Sequence, residues 1–297
     1  MNPQPPTPLI QATELAERLH GQPQDTVVFD CSFDLADTAA GARAYAQGHV
    51  PGALYLNLDS DLSAAKTGRN GRHPLPERAV FAARLAALGV GRDSFVVAYD
   101  RSGGMYAARL WWMLRWAGHG AVAVLDGGWQ AWQGAGLAAE TAAPAARAPG
   151  DFTLRPAQVA TVDRQVLLDN LRHTQPGRRR LVIDARAPDR FRGENETLDA
   201  IGGHIPGAVN RLFRDNLGPD GRFKPAAQLR SEFAAVAGSR PSGDWVNSCG
   251  SGVTACHNLL AQQVAGFDDA ALYPGSWSEW SSWPDSPIAT GEAGPAN

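Results

Sequence analysis

The sequence predicts an α/β protein of two tandem domains, each a parallel sheet flanked by helices. Three observations carry this prediction. The chain repeats itself at about half its length, short β-branched runs alternate with longer helical patterns in each half, and an Ala/Pro-rich stretch without apolar periodicity lies between the halves. At 297 residues the chain is comfortable for two domains of about 150. Hydrophobic residues make up 44% and charged residues 19%, which supplies an ample core for both.

Four ordered matches define the repeat. VVFDCS (27–32) answers LVIDAR (181–186), and GHVPGALYLN (48–57) answers GHIPGAVNRL (203–212). The run FVVAYDRSGG, from 95, answers WVNSCGSG, from 245, and VAVLDGGWQAW (122–132) answers AALYPGSWSEW (270–280). His49 and His204 stand 155 residues apart, and Trp129 and Trp277 stand 148 apart. AETAAPAARAPGDF (139–152) reads as linker. The expected bounds are a first domain over 1–142, a linker over 143–155 and a second domain over 156–297.

FVVAYD and VAVLDGG are continuous apolar runs, as expected of parallel strands buried on both faces. VFAARLAALG and MYAARLWWMLRWAG are amphipathic and closed by glycine, as helices are. In such sheets the chemistry sits where strand carboxyl ends meet helix N-termini. SCGSGVTA, from 248, falls there.

Composition narrows the function classes. A net charge of −3 gives no reason to expect nucleic acid or a membrane surface as partner. No run of eighteen apolar residues marks a transmembrane helix, and MNPQPPTPLI has neither the basic nor the apolar region of a signal peptide. The three cysteines, Cys31, Cys249 and Cys256, are too few for a disulfide framework or a zinc site. Free thiols in a reducing, cytoplasmic compartment are expected.

Cys249 opens the loop that ends the WVNS run. Gly250 and Gly252 permit tight curvature around Ser251. A helix beginning near Val253 and Thr254 aims unpaired backbone amides and a positive dipole end at the sulfur, which favours a thiolate. The plain alternative is a strand–turn–helix with a buried cysteine. The repeat argues against it, because the first half carries Asp100 at the matching position. A packing requirement calls for something small and apolar there, not a carboxylate. The pattern is that of an active domain beside a lapsed one.

CGSGVTA (249–255), the duplicated GHVPGA and GHIPGA, NGRHPLP (70–76), DGGW and PGSWSEW together resemble the tandem-domain rhodanese-like sulfurtransferases, over about residues 8–285. The loop is similar to that of the 3-mercaptopyruvate sulfurtransferases, whereas thiosulfate-preferring rhodaneses usually carry Arg and Lys after the cysteine. The resemblance implies that Cys249 takes the outer sulfur of a donor as a persulfide, cradled by Gly250, Ser251, Gly252, Val253 and Thr254. A thiol such as thioredoxin or a small thiol, or cyanide in an assay, then removes it. No metal or organic cofactor is implied.

The resemblance also maps Arg190 to the donor's anionic group and His73 to a proton relay with Ser251, with Asp59 as orienter. Arg72 is expected to be solvated and Arg186 structural. His49 and His204 are read as structural because both halves keep them. The tryptophans suit core packing, and Cys256 reads as core or as an oxidation partner. Family members often carry a further arginine where this chain has Leu198 and Asp199. With no cation in the loop, 3-mercaptopyruvate is the expected donor, and Gly250→Arg with Ser251→Lys is expected to shift preference to thiosulfate. Thiosulfate:cyanide transfer and a non-catalytic sulfur-carrier or binding module are the alternatives. Phosphoester hydrolysis through a Cys-x5-Arg loop is excluded by Ala255.

Overall fold

The computed structural model describes residues 7–173 and 179–292; the first six residues of the stretch read for a signal peptide lie outside them. Two compact units form. One takes the chain up to Leu62, then Glu77–Gln158 and Pro219–Phe223; the other takes Ser63–Pro76, Val159–Gly218 and the chain from Lys224 on.

The first unit contains strands β1 (Leu9–Ile10), β2 (Thr26–Asp30), β3 (Leu54–Tyr55), β4 (Phe95–Tyr99) and β5 (Val122–Leu125). Its helices are α1 (Ala12–Gly21), α2 (Ala40–Gln47), α3 (Arg78–Ala87), α4 (Ala107–Trp116) and α5 (Gly128–Gly134). The second contains β6 (Ala160–Thr161), β7 (Leu181–Asp184), β8 (Val209–Asn210), β9 (Trp245–Ser248) and β10 (Ala271–Leu272). Its helices are α6 (Arg164–Arg172), α7 (Pro188–Arg192), α8 (Ala226–Ala237), α9 (Thr254–Val264) and α10 (Ser276–Trp280).

Each unit holds a five-stranded, wholly parallel sheet, in the order β1-β5-β4-β2-β3 and β6-β10-β9-β7-β8. The two orders are the same topology written twice, as the repeat predicts. Strands β2, β5, β7 and β9 are buried along their length, and β4 is buried after Phe95; Val28, Val97 and Leu125 pack with Trp129 and Trp132 in the first core. Val182, Val246, Tyr273, Trp277 and Trp280 do the same in the second. Asn247, a polar side chain inside β9, exchanges two hydrogen bonds with Gln262 of α9 at 2.9 and 3.0 Å, so its burial leaves neither side-chain amide without a partner.

The Ala/Pro-rich stretch does not hang free. Gly150 donates to the Ala86 carbonyl and Arg155 to that of Ala117, which ties it along the first unit. Ser63–Pro76, read as part of the first half, packs into the second unit. That exchange brings NGRHPLP to the loop after β9.

His49 and His204 behave alike. His49 Nδ1 lies 2.9 Å from the Tyr45 carbonyl at the end of α2, and His204 Nδ1 lies 2.9 Å from the Phe191 carbonyl in α7. A carbonyl only accepts, so each imidazole donates from Nδ1 and caps a helix end. Each ring also stacks on an aromatic neighbour, Tyr45 or Phe191. Among the described residues no helix is long and apolar enough to cross a membrane.

Candidate active site

Cys249 directly follows β9, and α9 begins five residues later with Val253 as its N-cap. The intervening loop curls back on the sulfur. The backbone amide of Ser251 donates to Cys249 Sγ at 3.4 Å and that of Gly252 at 3.1 Å. Gly252 has φ +76°, and a Cβ there would meet the Pro274 carbonyl oxygen at 2.3 Å. Glycine is therefore required at 252, and the curl depends on it. Cys249 is 1% exposed, so the amides act on the sulfur in a largely dry setting.

The first unit shows what this loop shape prefers. Asp100, after β4, accepts from the amides of Ser102 (2.7 Å), Gly104 (2.8 Å), Tyr106 (2.8 Å) and Ala107 (2.9 Å). Its carboxylate fills an amide nest that holds an anion. Without sulfur it has no redox or nucleophilic thiol chemistry to offer.

α10 fixes the loop from the other side. Trp277 N–H donates to the Cys249 carbonyl and Ser278 N–H to that of Gly250, both at 2.9 Å. Ser276 Oγ accepts from the Cys249 amide (3.1 Å) and donates to the Tyr273 carbonyl (2.9 Å). Ser276 has φ +52°, the single positive φ among the described non-glycine residues. The first unit uses Gly128, at φ +55°, in the corresponding DGGW. Ser276 was overlooked in the sequence, although replacement of that glycine by serine in PGSW is the signal that marks it. A strained backbone retained for one hydroxyl bond points to the cysteine it holds.

His73 Nδ1 lies 2.7 Å from Ser251 Oγ, both groups buried. The expected relay pair is thus brought together beside the sulfur. Asp59 belongs to the first unit, where its amide donates to Asn57 Oδ1 at 2.8 Å. Cys256 Sγ donates to the Gly252 carbonyl at 3.2 Å and is fully buried, a contact that braces the loop. Burial, with Asp30 and Asp100 nearby, pushes the Cys31 thiol well up, so it stays protonated.

Three arginines cluster with Asp184, Glu196 and Asp199, and two of them reach the next residue of the loop. Arg186 is locked inside: it bonds both Asp184 oxygens and the Gly203 carbonyl, and it lies over the Trp277 ring. Arg190 pairs through Nε and Nη2 with Glu196, at 3.1 and 2.8 Å, and its nearest other carboxylate is Asp199 at 3.7 Å. Glu196, rather than Asp184 or Asp189, is therefore the side-chain partner of Arg190. Burial alone would raise the Glu196 carboxyl, but the bonds from Arg190 and from the Leu198 and Asp199 amides outweigh it and hold the carboxyl low.

Arg72 is not merely solvated. Its Nη1 bonds Asp199, and its Nη2 lies 2.7 Å from where a Cβ on Gly250 would sit. Arg190 Nη2 lies 3.6 Å from the same point. The loop carries no cation, but two guanidinium groups reach its second residue from elsewhere. Gly250→Arg would collide with Arg72, and Ser251→Lys would delete the hydroxyl bonded to His73, so that exchange is no clean test of donor choice.

A parallel sheet duplicated in tandem, with a cysteine in an amide nest in one copy alone, defines a class of sulfur-handling proteins, and comparison agrees. The pattern of the rhodanese-like domain matches residues 11–135 and 164–282. A Pseudomonas aeruginosa protein named "Probable 3-mercaptopyruvate sulfurtransferase" is 49% identical over 96% of this chain and 98% of its own. The thiosulfate sulfurtransferase of Bos taurus is 35% identical over 91% of this chain and 90% of its own. The solved 3-mercaptopyruvate sulfurtransferase from Leishmania major superposes with a TM-score of 0.82 at 30% identity, covering 97% of this chain and 78% of that one. The chain belongs to the rhodanese-like domain family. It is a sulfurtransferase built of two such domains.

Proposed function

We propose that this sulfurtransferase takes its sulfur from 3-mercaptopyruvate, carries it on Cys249 and delivers it to a thiol. The observation behind this reading is the Ser251–His73 hydrogen bond beside the cradled sulfur. A mercaptan donor brings a thiol proton that must move, and thiosulfate near neutral pH brings none.

In the first step the Cys249 thiolate attacks the donor sulfur. An S–S bond forms, the donor C–S bond breaks, and its electron pair passes to the carbon as the pyruvate enolate. The thiol proton leaves the sulfur through Ser251 and His73 and ends on that carbon. The products are pyruvate and a Cys249 persulfide anion, which the Ser251 and Gly252 amides stabilise along with neighbouring amides at the start of α9. Arg190 holds the donor carboxylate.

In the second step an acceptor thiolate attacks the outer sulfur and leaves as its own persulfide, returning the Cys249 thiolate; cyanide leaves as thiocyanate. Thioredoxin or a small thiol is the acceptor that suits a reducing, cytoplasmic setting.

Thiosulfate is the second reading, because Arg72 and Arg190 reach the loop and a relative is named for that donor. Steady-state kcat/KM with the two donors, one acceptor and one buffer decides between them. A higher value with 3-mercaptopyruvate is expected. A higher value with thiosulfate gives the second reading its place.

A further inference from the structure

Asp199 stands where the sequence lacks an expected arginine, and the fold alone does not account for it. The other buried carboxylates of this cluster are saturated. Asp184 accepts from the Arg186 amide and guanidinium, and Glu196 accepts from Arg186, Arg190 and the Leu198 and Asp199 amides. Asp199 takes one bond, from Arg72, and its Oδ2 is buried with no hydrogen-bond partner, 3.7 Å from Arg190. An under-bonded carboxylate oxygen is costly to bury unless cations face it. Here two cations do, and they are the two that reach Gly250.

The electrostatic consequence follows from counting the partly exposed end of the cluster. Arg72 and Arg190 keep 23% and 19% of their side chains exposed, whereas Glu196 and Asp199 keep 4% and 7%. Glu196 offsets Arg190 from behind. Asp199 offsets Arg72, so the face beside Gly250 is cationic but nearly balanced. Attraction to the guanidinium groups and repulsion from Asp199 both scale with donor charge, so pairing Arg72 with Asp199 takes twice as much attraction from a dianion as from a monoanion.

We propose that Asp199 is a specificity-determining residue, a built-in carboxylate that masks Arg72 and biases the donor site toward singly charged donors over dianions. This rests on the sulfur-transfer reading but not on which donor the native chain prefers. Arg72 is the cation it controls, supplied from Ser63–Pro76 rather than from the loop itself.

The test is Asp199→Asn in the full chain, with kcat/KM for thiosulfate and 3-mercaptopyruvate measured at fixed ionic strength. The readout is the ratio of the two values, which is expected to move about tenfold toward thiosulfate. The shift should disappear when Arg72→Ala is added, because Asp199 acts through that guanidinium. A ratio that does not move, or a shift that survives Arg72→Ala, overturns the proposal. A second measurement avoids turnover of either donor: competitive inhibition by sulfate, relative to acetate, should strengthen on Asp199→Asn, and an unchanged ratio also overturns the proposal. If the native enzyme itself prefers thiosulfate, the donor reading falls while the change of ratio on Asp199→Asn still tests Asp199.

Discussion

His73 and Ser251 are 178 residues apart in sequence, yet Nδ1 and Oγ meet at 2.7 Å beside the cradled sulfur of Cys249. A proton relay in that place matters only to a donor that carries a proton. His73→Ala should lower kcat with 3-mercaptopyruvate by about 10²-fold, the low end of general acid–base effects, and leave thiosulfate turnover much less affected. Equal losses with both donors would assign the histidine to the fold rather than to proton transfer.

Cys249 should carry the persulfide and Cys256 should not, since Cys256 is spent bracing the Gly252 carbonyl. Cys249→Ser is expected to abolish transfer to cyanide, and Cys256→Ser to keep most of it. Intact-mass measurement after donor treatment should find one added sulfur, lost in Cys249→Ser. Turnover by Cys249→Ser would sink the mechanism.

Residues 153–297 alone lack Ser63–Pro76, and with it both His73 and Arg72 of the second unit. Such a fragment should be far weaker than the full chain, even where circular dichroism shows it folded. Adding the missing segment back by fusion should recover part of the rate; equal activity without it would make that segment dispensable.

Ser276 pays for its hydroxyl with a left-handed backbone, a cost of about 1 kcal/mol that glycine avoids. Ser276→Gly should leave stability nearly unchanged, because strain relief offsets the lost bond to the Cys249 amide. The rate should nevertheless fall about fivefold, the equivalent of one hydrogen bond. Thermal unfolding and single-turnover persulfide formation measure the two effects separately.

Glu232 supplies the clearest pH signature. Burial opposes its charge, but bonds from Lys224, Arg211 and Gln228 prevail and hold its pKa down at about 2 against an ordinary 4.5. A depressed carboxyl pKa stabilises the fold fully above about pH 4.5, and that contribution is lost as pH falls toward 2. Because the group faces solvent in part, its worth is about 1 kcal/mol rather than the full shift. Glu232→Gln should therefore be less stable than the native chain at pH 7 in urea unfolding, and the gap should close by pH 2–3. A gap independent of pH would mean that packing, not charge, is lost.

The sequence by itself determined the repeat, the two parallel α/β sheets and the cysteine that the proposed mechanism uses. These are written in local or periodic signals: continuous apolar runs for strands buried on both faces, glycine-closed amphipathic helices, and a cysteine whose counterpart in the other half is a carboxylate. It could also place His49 and His204 in the scaffold, because both halves keep them, including the half without the cysteine. Only the tertiary structure decided which side chains meet around Cys249. Arg72 reaches Asp199 across 127 residues because Ser63–Pro76 leaves its own half and packs with the other. Nothing in the composition or spacing of NGRHPLP encodes that path, so Arg72 read as a solvated loop residue. The burial of Glu196 and Asp199 is likewise illegible in the sequence, since a buried carboxylate makes sense only once the guanidinium groups that offset its desolvation are in view.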